Sequence, residues 1–535
     1  MLRKGGNAVD AAVATTFAIS VVEPFSAGIG GGGFLLLNWA PTGEIKALDF
    51  RERAPQKASR EMYLDATGKV RPSASIDGHL SVAVPGTVAG LYDVHRQYGK
   101  LSWQDVVSPA IALAQNGFLV SDRFTAASER RIEAILANPA ARQVFTKNGR
   151  LYTRGERLIQ TDLAKTLQAI AQDPQNFYTG EIAQAIARDM RENGGLIALE
   201  DLKAYQPTWR EPVCGNFRQA RVCSMPPPSS GGVHLLQILN IIGETDFKSL
   251  GWRHPDALHL LVEAMRSAYA DRSVYLGDPD FVKVPVSALI SPGYADLRRQ
   301  EISPQQARPL SEVKPVDWET LQRFSSQAQT NKISQPTPNT KESSDTSHLT
   351  VVDEQRNAVS LTFTVNYGFG SGVVVPGTGI LLNDEMDDFA AAPNVPNAYG
   401  LVGGEANAIA PNKIPLSSMT PTIVTENGRL RLATGAPGGS TIITTVLQIV
   451  LNVLEYGMDA GSAVSAGRLH HQWLPDQLRV EPWAFDAATL AELRRRGHKI
   501  EQQSPWGNGN AIIQTPDGTL EGAADPRGEG TALGL

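Results

Sequence analysis

The sequence predicts an α+β protein, and three observations lead there. Residues 1–320 alternate helical periodicities with short apolar strand-like runs. A strongly polar stretch, 322–345, then interrupts the pattern. Immediately beyond it, period-two alternation resumes and leads on to one long helical stretch. For 535 residues the length prior is about three or four domains, a rule that large α/β enzymes break.

Composition narrows the class. Hydrophobic residues make up 42% and charged residues 19%, enough for a large core and too apolar for global disorder. A net charge of −6 argues against a nucleic-acid or anionic-membrane surface, which would need a basic excess. No run approaches the ~20 apolar residues of a membrane span. The 49 glycines and 34 prolines point to many tight turns and shaped loops.

The chain opens MLRKGGNAVDAAVATTF. Two basic residues before an Ala-rich segment mimic a signal peptide, but Gly5-Gly6-Asn7 and Asp10 interrupt it. It reads instead as a helix with Asn7 as N-cap and Asp10 at N3, running to about Val22 before Pro24. GFLLLNWA (33–40) and IKALDFRERAP (45–55) form a strand pair joined by Pro41-Thr42-Gly43. Helices follow over 86–98, 103–117, 128–137, 158–172, 181–193 and 256–272. CGNFRQARVC places Cys214 and Cys223 in a short hairpin, either as a disulfide or as two unrelated small apolar residues. VCSMPPPSSGG (222–232) is a strand entering a polyproline-like loop.

Of the 24 residues from 322 to 345, sixteen are Ser, Thr, Gln, Asn or Pro. Such a segment buries too little apolar surface to order itself and reads as a disordered linker. SHLTVVDEQRNAVSLTFTVN then alternates in two arms about a DEQRN turn. Strands flank Asn427-Gly428, and LATGAPGGS leads into the helix TIITTVLQIVLNVL.

Several motifs could carry chemistry. Thr346 begins a strand just past the linker. If the Asp345–Thr346 bond were cut, the threonine would expose an α-amine of pKa ~8 beside its own hydroxyl, supplying nucleophile and base in one residue. Read by itself, the junction fits an ordinary linker–domain boundary better than a cut. Gly438-Gly439 at a helix start could form an oxyanion hole or a plain strand–helix turn. GIGGGGF matches G-x-G-x-x-G through Gly28, Gly30 and Gly33, with Asp49 at ribose-acid range. A helix precedes it and a strand follows, the reverse of the dinucleotide-binding context. NDEMDDF (383–389) could bind Ca²⁺ or an ammonium group, or form a solvated acidic turn. PLSSMTP (415–421) holds two serines between prolines but lacks the G-x-S-x-G elbow. His470 and His471 are adjacent, which faces them apart and makes a shared metal improbable. Arg51 is a carboxylate clamp or a surface charge.

Taken together, these segments resemble the γ-glutamyltranspeptidases over nearly the whole chain. The resemblance rests, in order, on GGNAVDAAVA, GIGGGGF, LDFRERAP, PGTVAG, MPPPSSGG, YADRSVYLGDP, TSHLTVVD, TFTVN, GILLNDEMDDF, PNAYGLVGGEANAIAPNKIPLSSMTPTIV and GAPGGSTIITTVLQ. It implies a four-layer αββα sandwich of the N-terminal-nucleophile hydrolases. It further implies a precursor that cuts itself into a large subunit, 1–345, and a small subunit, 346–535, which remain associated. Thr346 would be the nucleophile in maturation and turnover, with Thr364 bonding the new amine and Gly438 and Gly439 holding the oxyanion. Arg51, Ser417 and Ser418 would bind the α-carboxylate of a γ-glutamyl group, and Asn366, Glu385 and Asp388 its α-ammonium. The stretch 390–404 resembles a pocket lid, with Tyr399 over the substrate.

The implied donors are glutathione and other γ-glutamyl compounds. The implied acceptors are water and amino-acid or dipeptide amines, with no metal or organic cofactor. The family implies a periplasmic or secreted location. The chain departs from the family pattern in three ways: it opens directly at a helix, its linker is long, and Ser347 stands where threonine is common. The first predicts a truncated or misassigned start. Within the superfamily, a glutaryl-type acylase is the rival, one that would not need the ammonium-binding set.

Overall fold

The computed structural model describes residues 1–324, 345–391 and 403–535. Two antiparallel sheets stack face to face. The strands of these sheets are β1 (Gly32–Trp39), β2 (Glu44–Asp49), β3 (Thr208–Arg210), β4 (Val213–Phe217), β5 (Ala220–Ser224), β6 (Ser347–Val352), β7 (Ala358–Thr364), β8 (Thr422–Glu426), β9 (Arg429–Gly435), β10 (Asn510–Gln514) and β11 (Leu520–Ala524). The first sheet runs β6-β7-β1-β2-β3 and the second β11-β10-β9-β8-β5-β4.

Alternation along β1 builds the layers. Phe34 and Leu36 face the second sheet, in a core shared with Val424 and Leu432. Leu35 and Leu37 point the other way, into a core with the outer helices. Being buried on both faces makes the strand a continuous apolar run. The outer layer over the first sheet includes α1 (Ala8–Val22), α2 (Thr87–Tyr98), α3 (Trp103–Asn116), α4 (Thr161–Gln172) and α5 (Glu181–Glu192). Over the second sheet lie α6 (Gly231–Ile242), α7 (Pro255–Tyr275) and α8 (Thr441–Leu454). The result is the four-layer αββα sandwich.

α1 starts where the sequence places it. The Asn7 side chain accepts from the Val9 and Asp10 amides, and Asp10 accepts from the Asn7 amide, a complete capping box. The helix expected over 128–137 is instead two, Asp122–Arg130 and Ile132–Ala137. Arg131 breaks it, reaching out to the Gly368 and Gly370 carbonyls and to Asp77. The helix expected from 158 begins at Thr161, because Arg157–Leu158 pairs instead with Phe118–Leu119. Cys214 and Cys223 stand directly opposite each other in the β4–β5 hairpin and form a disulfide.

The glycines of GIGGGGF serve close backbone packing. A Cβ at Gly30 would lie 2.1 Å from the Leu381 carbonyl oxygen, one at Gly31 1.9 Å from that of Thr364, and one at Gly33 2.3 Å from that of Thr362. Only glycine lets the chain lie this close against β7 and the Leu381 backbone.

Candidate active site

The β6–β7 register brings Thr346 to its partner. Ser347 pairs with Phe363, which sets Thr346 beside the end of β7, and the Thr346 and Thr364 hydroxyls lie 3.3 Å apart. The Thr364 hydroxyl is also 3.2 Å from the Asp345 carbonyl oxygen and accepts from the Asn366 amide at 2.9 Å. Thr364 therefore touches both the Thr346 hydroxyl and the carbonyl that precedes it. Asp345 and Thr346 are both buried, so the junction is held within the protein.

A pocket of about 320 Å³ opens over Thr346. It is lined by Arg51, Thr364, Asn366, Glu385, Asp388, Ser417, Ser418 and Gly439, with Arg272 closing one side. The structure thus gathers around one cavity residues that lie far apart in sequence. Gly438 and Gly439 turn from β9 into α8 with φ of 131° and 55°, a left-handed backbone that glycine adopts without strain. The turn is braced by Thr441, whose hydroxyl donates to the Gly438 carbonyl at 2.7 Å, and by Tyr269, whose hydroxyl donates to that of Ser440. Tyr399 lies outside the described residues, as does most of the 390–404 stretch and of the 322–345 linker.

Arg51 is fully buried, not a surface charge. Its Nε donates to the Pro415 carbonyl at 2.9 Å, and its terminal nitrogens lie 2.5 Å from Glu385 Oε1 and Asp388 Oδ2. NDEMDDF is likewise no solvated turn: Asn383, Asp384 and Glu385 are completely buried. Asn383 ties this segment to the glycine loop, its side chain donating to the Gly30 and Ala83 carbonyls. Asn366 adopts φ of 74°, a conformation asparagine tolerates, and donates to the Asp384 carbonyl. Ser417 and Ser418 are set by the prolyl loop, with the Ser417 amide donating to the Pro228 carbonyl and the Ser230 hydroxyl to the Ser417 carbonyl.

Two residues of this cluster are not evident in the sequence. Arg272 is on α7, and its guanidinium reaches Ser230 Oγ at 3.1 Å and Ser418 Oγ at 3.3 Å. Burial, and then the Arg51 charge nearby, push its pKa down to about 10. Glu52 is fully buried, with its carboxyl beside that of Glu385. Burial raises its pKa to about 7, against the pull of Arg51. Burial likewise raises Glu385 and Asp388, although Arg51 favours their charged forms. Two guanidiniums thus face three carboxyl groups, and a proton retained among the carboxyls brings the cluster towards neutrality. Arg51 and the Glu385 and Asp388 carboxyls pair with each other within the pocket, and Arg272 stands beside Ser418.

The profile of the Gamma-glutamyltranspeptidase family matches residues 1–535. The glutathione hydrolase proenzyme of Escherichia coli strain K12 is 46% identical over 529 residues, covering 98% of this chain and 87% of that protein. The γ-glutamyltranspeptidase structure from Helicobacter pylori is 46% identical, covers 59% of this chain and 90% of that one, and has a TM-score of 0.58. The cephalosporin acylase from Bacillus halodurans superposes with a TM-score of 0.83 at 31% identity, covering 98% of this chain and 91% of that one. With its whole length matched and its sandwich shared, the chain belongs to the γ-glutamyltranspeptidase family.

Proposed function

We propose that this chain is a γ-glutamyltransferase and glutathione hydrolase, made as a precursor that cuts itself between Asp345 and Thr346. The observation that carries the reading is a buried cluster of opposite charges, Arg51 against Glu385 and Asp388, lining the same pocket as the Thr346 hydroxyl. A γ-glutamyl group is a zwitterion with its scissile carbonyl at the far end. Its α-carboxylate would take Arg51 with Ser417 and Ser418, and its α-ammonium Asn366, Glu385 and Asp388. Arg51 already meets Glu385 and Asp388, so a zwitterionic donor exchanges these pairings for its own, whereas a donor with one charge would leave the opposite partner unmatched.

In maturation, the Thr346 hydroxyl attacks the Asp345 carbonyl and the chain passes from amide to ester as the Thr346 nitrogen leaves. Water then hydrolyses the ester, leaving Asp345 as a carboxylate and Thr346 with a free α-amine. Thr364 donates to the Asp345 carbonyl in the uncut chain, a contact suited to polarising it. In turnover, that amine takes the hydroxyl proton, and Thr346 Oγ bonds to the γ-carbonyl carbon. The amides of the Gly438–Gly439 turn stabilise the oxyanion. The leaving amine departs with the proton, and water or an acceptor amine then resolves the ester.

The two pieces, 1–345 and 346–535, would stay together. β7 from the second pairs with β1 from the first, and β8 pairs with β5, so both sheets are built from both pieces. Among the described residues no helix is long and apolar enough to cross a membrane. The Cys214–Cys223 disulfide supports an oxidising compartment, periplasmic or secreted.

Intact mass tests the cut. Wild type should give two chains, the smaller beginning at Thr346, and Thr346→Ala one uncut chain. Matured wild type should release p-nitroaniline from γ-glutamyl-p-nitroanilide; a cleaved, folded sample that does not would overturn the reading. A second reading, an acylase, draws on the likeness to the cephalosporin acylase. Retention of Asn366, Glu385 and Asp388 in the pocket favours a γ-glutamyl donor, and a preference for the glutaryl over the γ-glutamyl anilide would reverse that choice.

A further inference from the structure

Of the two guanidiniums that line the pocket, Arg51 is already paired, with Glu385 and Asp388. Arg272 is not. It lies on α7, is only 6% exposed, and among the described residues has no carboxylate within ion-pair distance. Asp388 attracts it from farther off but is itself held by Arg51. Burial brings the Arg272 pKa down to about 10, so it is still charged at neutral pH. A buried cation without a counter-charge costs free energy, and a ligand that brings the counter-charge removes that cost.

What Arg272 touches instead is a pair of serines. Its Nε donates to Ser230 Oγ at 3.1 Å and its Nη2 to Ser418 Oγ at 3.3 Å. A guanidinium has no acceptor, so both hydroxyl oxygens must accept from it. Ser230 gives its own proton to the Ser417 carbonyl at 2.8 Å, and the Ser230 amide bonds that same carbonyl. Arg272 therefore fixes the backbone at Ser417 through Ser230, and the side chain of Ser418 directly. Ser417 Oγ in turn accepts from the Met419 amide at 3.1 Å. Each of these two serine oxygens thus takes a fixed donor. Among the described residues neither gives its hydroxyl proton to a protein acceptor, and both serines line the cavity over Thr346.

We infer that Arg272 is a positioning residue for the donor substrate: it holds Ser417 and Ser418 as hydrogen-bond donors and supplies the cation whose counter-charge is the donor's α-carboxylate. The inference rests on the γ-glutamyl reading above and deepens it. Arg51 cannot select the acid by itself, because Glu385 and Asp388 already meet its terminal nitrogens. A neutral carbonyl could accept from the same two serines, but it would leave Arg272 without a counter-charge. A carboxylate answers that charge and strengthens both serine bonds.

The test uses the matured enzyme and two donors, γ-glutamyl-p-nitroanilide and the same compound with its α-carboxylate replaced by a primary amide. Wild type should prefer the acid by about 100-fold in kcat/KM. In Arg272→Gln the acid donor should lose about 10- to 100-fold, mainly through KM, and the amide donor much less, so the ratio falls. A side chain that only propped the serine loop would cost both donors alike and leave the ratio standing. Arg272→Lys keeps the charge but brings one nitrogen to two serines. It should hold the ratio within about threefold of wild type and raise KM for both donors about tenfold. Where Arg272→Gln does not mature, the lysine variant decides alone: wild-type KM for both donors, or loss of the ratio, overturns the role. An unchanged ratio in matured Arg272→Gln, or equal use of acid and amide by wild type, overturns it as well. Failure of wild type to release p-nitroaniline from the acid donor would instead strike the γ-glutamyl reading.

Discussion

At the scale of single residues, Arg51 is the side chain whose chemistry is hardest to replace. Its Nε holds the Pro415 carbonyl while its terminal nitrogens meet Glu385 and Asp388. A lysine has one nitrogen and cannot hold that loop while also meeting a substrate carboxylate with two parallel bonds. Arg51→Lys should lower kcat/KM for γ-glutamyl-p-nitroanilide by about 100-fold, mostly through KM. Steady-state kinetics on the matured fraction measures it; a fall of less than about threefold would remove Arg51 from the carboxylate clamp. Arg272 and Glu52 show where residue-level reading stops. Both were within quoted motifs, YADRSVYLGDP and LDFRERAP, yet neither motif indicates which of its charged side chains turn inward. That depends on α7 bringing Arg272 to Ser230 and Ser418, and on the chain just past β2 bringing Arg51 and Glu52 to Glu385.

At the scale of elements, the glycine loop links the sheet to Thr346. Gly31 packs its α-carbon against the Thr364 carbonyl, and Thr364 in turn touches Thr346. Gly31→Ala would place a methyl 1.9 Å from that oxygen, so β7 must shift. The expected cost is about 1–3 kcal/mol of stability, together with slower self-cleavage, because the strand that moves carries Thr364. Urea unfolding of the uncut chain and a time course of cleavage check both. Normal stability with normal cleavage would show that the loop tolerates the methyl. The same motif matched a dinucleotide fingerprint by spacing alone. Its order, helix before and strand after, already argued against phosphate binding, and the contacts supply the alternative use. The helix expected over 128–137 failed for a related reason: Arg131 gains three polar partners by leaving the helix, and periodicity carries no record of them.

At the scale of the whole molecule, the sandwich buries ionisable groups between its layers. His234, His348, His470 and His498 are each pushed down to about 3, with burial the main cause. Unfolded, each would titrate near 6.5. Their stabilising contribution is complete above 6.5 and is lost as pH falls towards 3, because the unfolded chain takes up protons that the folded one refuses. Glu52 acts in the opposite sense. It is raised from 4.5 to about 7, so its contribution is lost as pH rises across that interval. Near pH 5, each histidine adds up to about 1.4 kcal/mol per pH unit to the slope of stability against pH. His348, buried between the Thr350 and Thr362 hydroxyls, is the cleanest to remove. His348→Gln should flatten the slope by about that amount, read from urea midpoints between pH 4.5 and 6. An unchanged slope would mean that His348 keeps its proton in the fold.

The sequence by itself determined the elements and their chemistry. Asn7 and Asp10 are a local capping pair, the two arms of SHLTVVDEQRNAVSLTFTVN alternate on their own, and the polar run before Thr346 marks the junction by composition. These are short-range signals, set by neighbours within a few residues. Family resemblance extended them to a list of pocket residues. Only the tertiary structure decided which charges are buried, and that Arg272 and Glu52 join them. Burial and the pairing of charges depend on which layers meet, and that is settled by contacts between residues hundreds of positions apart.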